Sequence, residues 1–176
     1  MRLHHLILTS LVFCGSVQAT EIISQTTLDQ TLIQAQSAIE AQDYDQAFKL
    51  YKQAAIWGHK GAQYVLGELY IQGKGVAKDP VTGYAWLEVA AESRDRDFIR
   101  ARKAAAKNLS EAQKHQADEL AQKLASSYGL EAAGVSCRKE ARIGSNIKGV
   151  NCYHVNTTSN GDLIVPDNSP ELQPAS

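Results

Sequence analysis

The chain has 176 residues, of which 44% are hydrophobic, 21% charged and 7% aromatic, and these figures exclude collagen-like, mucin-like and highly charged disordered classes. Eighteen Lys and Arg against 19 Asp and Glu leave a formal net charge of -1, so no global basic field exists to gather nucleic acid or an anionic membrane by counterion release. One helical domain with appendages is what remains.

Residues 1–19 open with Met1-Arg2, pass through the apolar stretch from Leu6 to Cys14 and end in Val17-Gln18-Ala19. A charged start, an apolar centre too short to span a bilayer and an Ala at the cut are the marks of a secretory signal peptide. The expected mature chain begins at Thr20 and works in the periplasm or outside the cell. An acylated anchor at Cys14 is the alternative, but Phe13 stands where a lipoprotein signal carries a small residue. No other segment is apolar enough to cross a membrane.

From Leu28 to Tyr128 apolar residues recur at helical spacing, which reads as about six helices. Leu28, Leu32, Ala35 and Ile39 share a face of the first. Asp43, with Gln46 three positions on, opens the second in a capping-box arrangement. Its stripe is Ala47, Leu50, Tyr51, Ala54 and Ala55, and Gly58 is a left-handed stop. The third carries Ala62, Leu66, Leu69 and Tyr70 and ends in Gly73-Lys74-Gly75. Asp79 caps the fourth, Pro80 occupies its first turn, and Trp86, Leu87, Ala90 and Ala91 form its buried face. A fifth, around Asp95 to Lys107, is anchored by Phe98, Ala101 and Ala105. Ser110 with Gln113 starts the sixth, whose stripe is Ala117, Leu120, Ala121, Leu124 and Tyr128, and Gly129 ends it.

Ala54-Ala55 recurs as Ala90-Ala91 at an offset of 36, where Leu50 also matches Trp86 and Tyr51 matches Leu87. A period in the thirties built from helix pairs is the signature of an α-solenoid. Gly67, in mid-helix, costs about 1 kcal/mol in propensity against Ala, so a neighbouring helix is expected to pass close to it.

The run from Ala54 to Asp79, continued by Tyr84-Ala85-Trp86-Leu87 and Ala90-Ala91, resembles the Sel1-like repeat, a tetratricopeptide-like helix pair. The matching positions are Ala54, Ala55, Gly58, Ala62, Leu66, Gly67, Tyr70, Gly73, Gly75, Val76, Asp79, Trp86, Ala90 and Ala91. The flanks match less well: at the same offset Gly67 becomes Lys103 and Leu66 becomes Arg102. The resemblance implies an all-α fold, a short helical-repeat solenoid over residues 20–129. It also implies a non-catalytic adaptor for a protein partner, relatives of the class serving in envelope or exopolysaccharide assembly and signalling. Tyr64 and Glu68, off the apolar stripe of the repeat's first helix, are the expected partner-binding residues.

After Gly134 the character changes. With Cys14 removed, Cys137 and Cys152 have one possible pairing, and an oxidising compartment makes that a disulfide. Closing a loop of about 15 residues stabilises by roughly 3 kcal/mol. Gly144-Ser145-Asn146 marks a turn between two short extended segments, so residues 130–155 read as a disulfide-closed, hairpin-like segment. Residues 156–176, with Pro166, Pro170 and Pro174, read as a disordered tail.

A metal site from Cys137, Cys152 and His154 is the rival reading, but it has no nearby fourth ligand and no Cys-x-x-Cys spacing, so neither metal nor cofactor is expected. His59 in an inter-helix turn and His115 on a polar helix side are read as ordinary polar residues, and no residue is read as catalytic. Glu68, Glu88 and Glu92 offer the acid and base of an envelope hydrolase as the enzymatic alternative. Arg96, Arg100, Lys103 and Lys107 share one face of the fifth helix; this is read as a solvated face, with contact to an acidic partner as the alternative.

Overall fold

The computed structural model of the chain describes residues 20–141 and 148–166. The expected signal peptide with Cys14, the turn at Gly144-Ser145-Asn146 and residues 167–176 lie outside the described residues. Strand β1 (Thr20–Ile23) is followed by helices α1 (Gln25–Glu40), α2 (Tyr44–Ile56), α3 (Lys60–Gln72), α4 (Pro80–Ala91), α5 (Arg96–Ala106) and α6 (Glu111–Tyr128). Strands β2 (Val135–Ala141), β3 (Lys148–His154) and β4 (Leu163–Pro166) complete the order.

Every helix starts on a side chain that accepts a backbone N–H of the first turn, because those donors have no partner within the helix. Ser24, Asp43, His59, Asp79, Asp95 and Ser110 do this in turn. Ser110 and Gln113 close the full reciprocal box. After α3 the chain turns through Gly73 and Gly75 at φ 69° and 70°, a conformation that favours glycine, before Asp79 and Pro80 begin α4.

Helices α3 and α4 cross at two glycines. A Cβ on Gly67 would lie 2.8 Å from the Gly83 carbonyl oxygen and 2.9 Å from Leu87 Cγ, and one on Gly83 would lie 2.7 Å from the Gly67 carbonyl oxygen. The close approach anticipated at Gly67 is therefore present, with Gly83 as its counterpart. It lets Leu66, Trp86 and Leu87 bury almost completely. Phe48 meets Tyr70 edge-on at 5.3 Å between centroids, joining α2 to α3, and Trp86 stacks with Tyr128 at 5.9 Å, joining α4 to α6. Five of the six helices, all but α5, thus share a continuous apolar seam from Leu28 through Tyr51, Trp57 and Leu66 to Leu124.

Strands β2 and β3 form an antiparallel pair in which Cys137 stands opposite Cys152, and a disulfide joins them. The tail expectation needs correction for residues 163–166. Strand β4 pairs antiparallel with β1, from Thr20↔Pro166 to Ile23↔Leu163, and Leu163 and Val165 bury alternately against the helical core beside Ile23. The surrounding sequence is polar, but a Leu-Ile-Val run fits a pleated strand with one wet face. The fifth helix also differs: none of its residues is fully buried, and Phe98, Ala101 and Ala105 are half-buried. On α1 the inner face includes Thr31, whose Oγ1 donates to the Thr27 carbonyl at 2.8 Å, while Leu32 is half-buried.

Candidate functional site

The turn between α2 and α3 is where repeat and hairpin meet. Gly58, at φ 88°, is buried so tightly that a Cβ there would overlap the Cβ of Ala133, with Val135 of β2 at 3.3 Å. His59 follows and its Nδ1 accepts the Ala62 N–H at 3.0 Å. This fixes the imidazole as an acceptor at that nitrogen, so the ring is neutral with its proton on Nε2. Burial drives the His59 pKa down from 6.5 to about 4, and His154 on β3 adds to that shift while Asp29 on α1 opposes it.

Lys60 is 2% exposed and turned into the protein. Its Nζ donates to the Val89 carbonyl at 3.0 Å and to Glu92 Oε2 at 2.8 Å, and the same Oε2 accepts the Leu130 N–H at 2.9 Å. Burial lowers the Lys60 pKa, and Glu92 acts against that. Gln63, fully buried, donates through Nε2 to the carbonyls of Ala55 at 3.0 Å and Tyr128 at 2.8 Å. The α3 start, the α4 end and the α6 end are thereby locked together by polar contacts inside an apolar seam. Nothing in the spacing of either residue signals its burial.

These elements enclose a cleft of about 690 Å³. Leu28, Asp29 and Leu32 of α1 form one wall, the 58–61 turn its floor, and Ser93, Asp95 and Phe98 a second wall. The hairpin closes it with Val150, Tyr153 and His154, joined by Thr157 and Leu163. His154 bonds to the Ala133 backbone, its buried Nδ1 has no hydrogen-bond partner among the described residues, and burial lowers its pKa below the ordinary histidine value. Asp29 accepts from Gln25 Nε2 at 2.9 Å and Asp95 accepts the Asp97 N–H at 2.8 Å. Among the described residues neither carboxylate is in an ion pair.

The residues singled out from the sequence fall as follows. Ala54, Ala55, Gly58, Ala62, Leu66, Gly67, Tyr70, Trp86, Ala90 and Ala91 are all buried. Tyr64 is half-buried because its ring stacks on Phe98 of α5 at 4.9 Å, and burial, with Glu68 and Asp97 nearby, raises its pKa. Glu68 accepts from Gln72 at 3.2 Å. Neither Tyr64 nor Glu68 lines the cleft.

The three glutamates of the hydrolase alternative do not form one set. Glu88 and Glu92 border a second groove of about 320 Å³ between α4 and α6, beside Asp118, but Glu68 does not. Glu88 is ion-paired with Arg102 at 2.8 Å and also bonds to Tyr84, whose pKa is pushed up to about 12, chiefly by burial. Glu92 is committed to Lys60. Because the disulfide takes both thiols, the metal reading loses Cys137 and Cys152 as ligands. Among the described residues no group of three or more His, Cys, Asp and Glu is arranged to hold a metal ion, and no helix is long and apolar enough to cross a membrane. Arg96, Arg100, Lys103 and Lys107 are exposed, Arg100 pairing with Asp97 at 3.0 Å.

Asp29, Asp95 and His154 enter the cleft without any motif to announce them. In the sequence Asp95 marks only the start of the fifth helix, and nothing singles out Asp29.

The Sel1 repeat family model matches residues 37–56 and 61–95. Among solved structures the chain is similar to c5321, described as a protective antigen present in uropathogenic Escherichia coli strains displaying an SLR fold. The two are 29% identical with a TM-score of 0.57, over 60% of this chain and 24% of c5321. The chain thus spans about a quarter of that protein's length. No curated protein matches the chain.

Proposed function

The chain is a Sel1-like repeat protein through its helical part, and from that premise we propose that it is a non-catalytic adaptor that binds a protein partner in the periplasm or another oxidising extracytoplasmic space. The observation that carries this reading is the α3–α4 pair, matched as a repeat over residues 61–95 and drawn together at Gly67 and Gly83. Such packing makes a rigid face that binds with little ordering cost. The Cys137–Cys152 disulfide fits an oxidising compartment. Assembly or signalling at the envelope, including exopolysaccharide assembly, is the process class in which we place it.

Chemical crosslinking in the cells that make the protein, followed by affinity capture from envelope extracts, tests the reading. It predicts a reproducible protein partner. Recovery of none across growth conditions contradicts it.

A further inference from the structure

We propose that the cleft between the repeat and the disulfide-closed hairpin is a composite peptide site, and that it takes a segment of the partner carrying a Lys or Arg beside an apolar side chain. The inference rests on the adaptor reading and adds the chemistry of the contact.

The argument is one of charge and shape. Leu28, Leu32, Phe98 and Val150 give the cleft an apolar lining for an aliphatic or aromatic side chain. Asp29 and Asp95 stand on its two helical walls, and among the described residues no cation is in ion-pair contact with either. Lys60, the one lysine on the lining, is turned away and neutralised by Glu92. His59 spends Nδ1 on the Ala62 N–H, and both His59 and His154 are held neutral by burial near pH 7, so they contribute no positive charge. The cleft therefore presents two negative charges that lack a counter-charge among the described residues.

Helix N-termini favour anions, and α1, α3 and α5 all begin near this cleft. One first-turn donor of each is already taken, however: Ser24 takes the Thr27 N–H, His59 the Ala62 N–H and Asp95 the Asp97 N–H. The cap on α5 is itself a carboxylate. A cation is the better match, with the buried, unpartnered His154 Nδ1 as a further acceptor.

The test is selection of a random phage-displayed peptide library on the oxidised mature chain, followed by anisotropy titration of the enriched peptide. The variants are Asp29→Asn with Asp95→Asn, in which Asn preserves the α5 cap, and Thr157→Trp, which fills the exposed mouth without changing charge. Circular dichroism confirms that each variant is folded. The proposal predicts enrichment of Lys or Arg next to an apolar residue, binding weakened about tenfold in the double Asn variant, and binding lost in Thr157→Trp. No enrichment, enrichment of acidic or uncharged peptides, or binding indifferent to the double Asn variant overturns it. If envelope capture returns a partner while the peptide result is negative, the cleft assignment falls and the adaptor reading stands; if capture returns none, the adaptor reading itself falls.

Discussion

The α3–α4 pair and the β2–β3 hairpin are held by different means. The helix pair is built from buried area and close approach, with Leu66, Trp86 and Leu87 almost fully covered. The hairpin buries Val135 but little else along its strands among the described residues, and a covalent bond from Cys137 to Cys152 supplies what its core does not. The helical frame that carries the other walls of the cleft is thus set by packing and the hairpin wall by oxidation. The same site has a permanent half and a half that depends on its compartment.

The contact most sensitive to loss is the one that joins the two halves. Glu92→Ala leaves Lys60 buried and unpaired and frees the Leu130 N–H at the start of the C-terminal segment. It is expected to cost about 3 to 5 kcal/mol in urea unfolding. A cost below about 1 kcal/mol means that the pair does not join the regions.

Replacing Cys137 and Cys152 with Ser is expected to remove about 3 kcal/mol from the hairpin. Hydrogen exchange should speed up across 135–154 while α3 and α4 keep their protection. Equal loss in both regions breaks the comparison.

Acid separates the regions at their junction. The His59 pKa lies at about 4 in the folded chain against an ordinary 6.5, so the unfolded chain takes up this proton first as pH falls. The stability it contributes is intact above pH 6.5 and is lost progressively down to pH 4, amounting to about 3 kcal/mol. His59→Asn keeps a good helix cap and is expected to flatten unfolding free energy over that window, with neutral-pH stability changed by no more than about 1 kcal/mol. An unchanged pH slope removes His59 from the account.

The smallest expected effect probes packing alone. Gly67→Ala gains helix propensity but drives a methyl into the Gly83 carbonyl and Leu87. A net loss of about 2 kcal/mol is expected from thermal or urea unfolding, with hairpin exchange unaffected. A stabilised variant shows that the two helices are not in close contact there.

The helical region was largely legible because its signals are local. The Ala54-Ala55 and Ala90-Ala91 recurrence, the caps at Asp43, Asp79 and Ser110, and the mid-helix Gly67 each reveal themselves within a few turns of chain. The paired cysteines were equally readable. What sequence spacing missed depends on distant partners. Strand β4 pairs with β1 from the other end of the chain, so neither short strand announces the other. Lys60 opens a helix, where a lysine normally reaches water, and its burial depends on Glu92 and Val89 in the next helix. Tyr64, expected on a free surface, stacks on Phe98 instead, because the apolar anchor of α5 reaches a residue of α3 that spacing within either helix does not name. The cleft escaped notice for the same reason, since its walls come from α1, two inter-helix turns and the hairpin.

The most direct measurement of the central claim is hydrogen exchange on the oxidised mature chain, alone and saturated with the partner recovered from the envelope. Partner binding is predicted to slow exchange in segments 25–32, 58–61, 93–98 and 150–157 on both walls of the cleft. Slowing confined to the α4–α6 groove around Asp118 and Gln122, or no slowing at all, contradicts it.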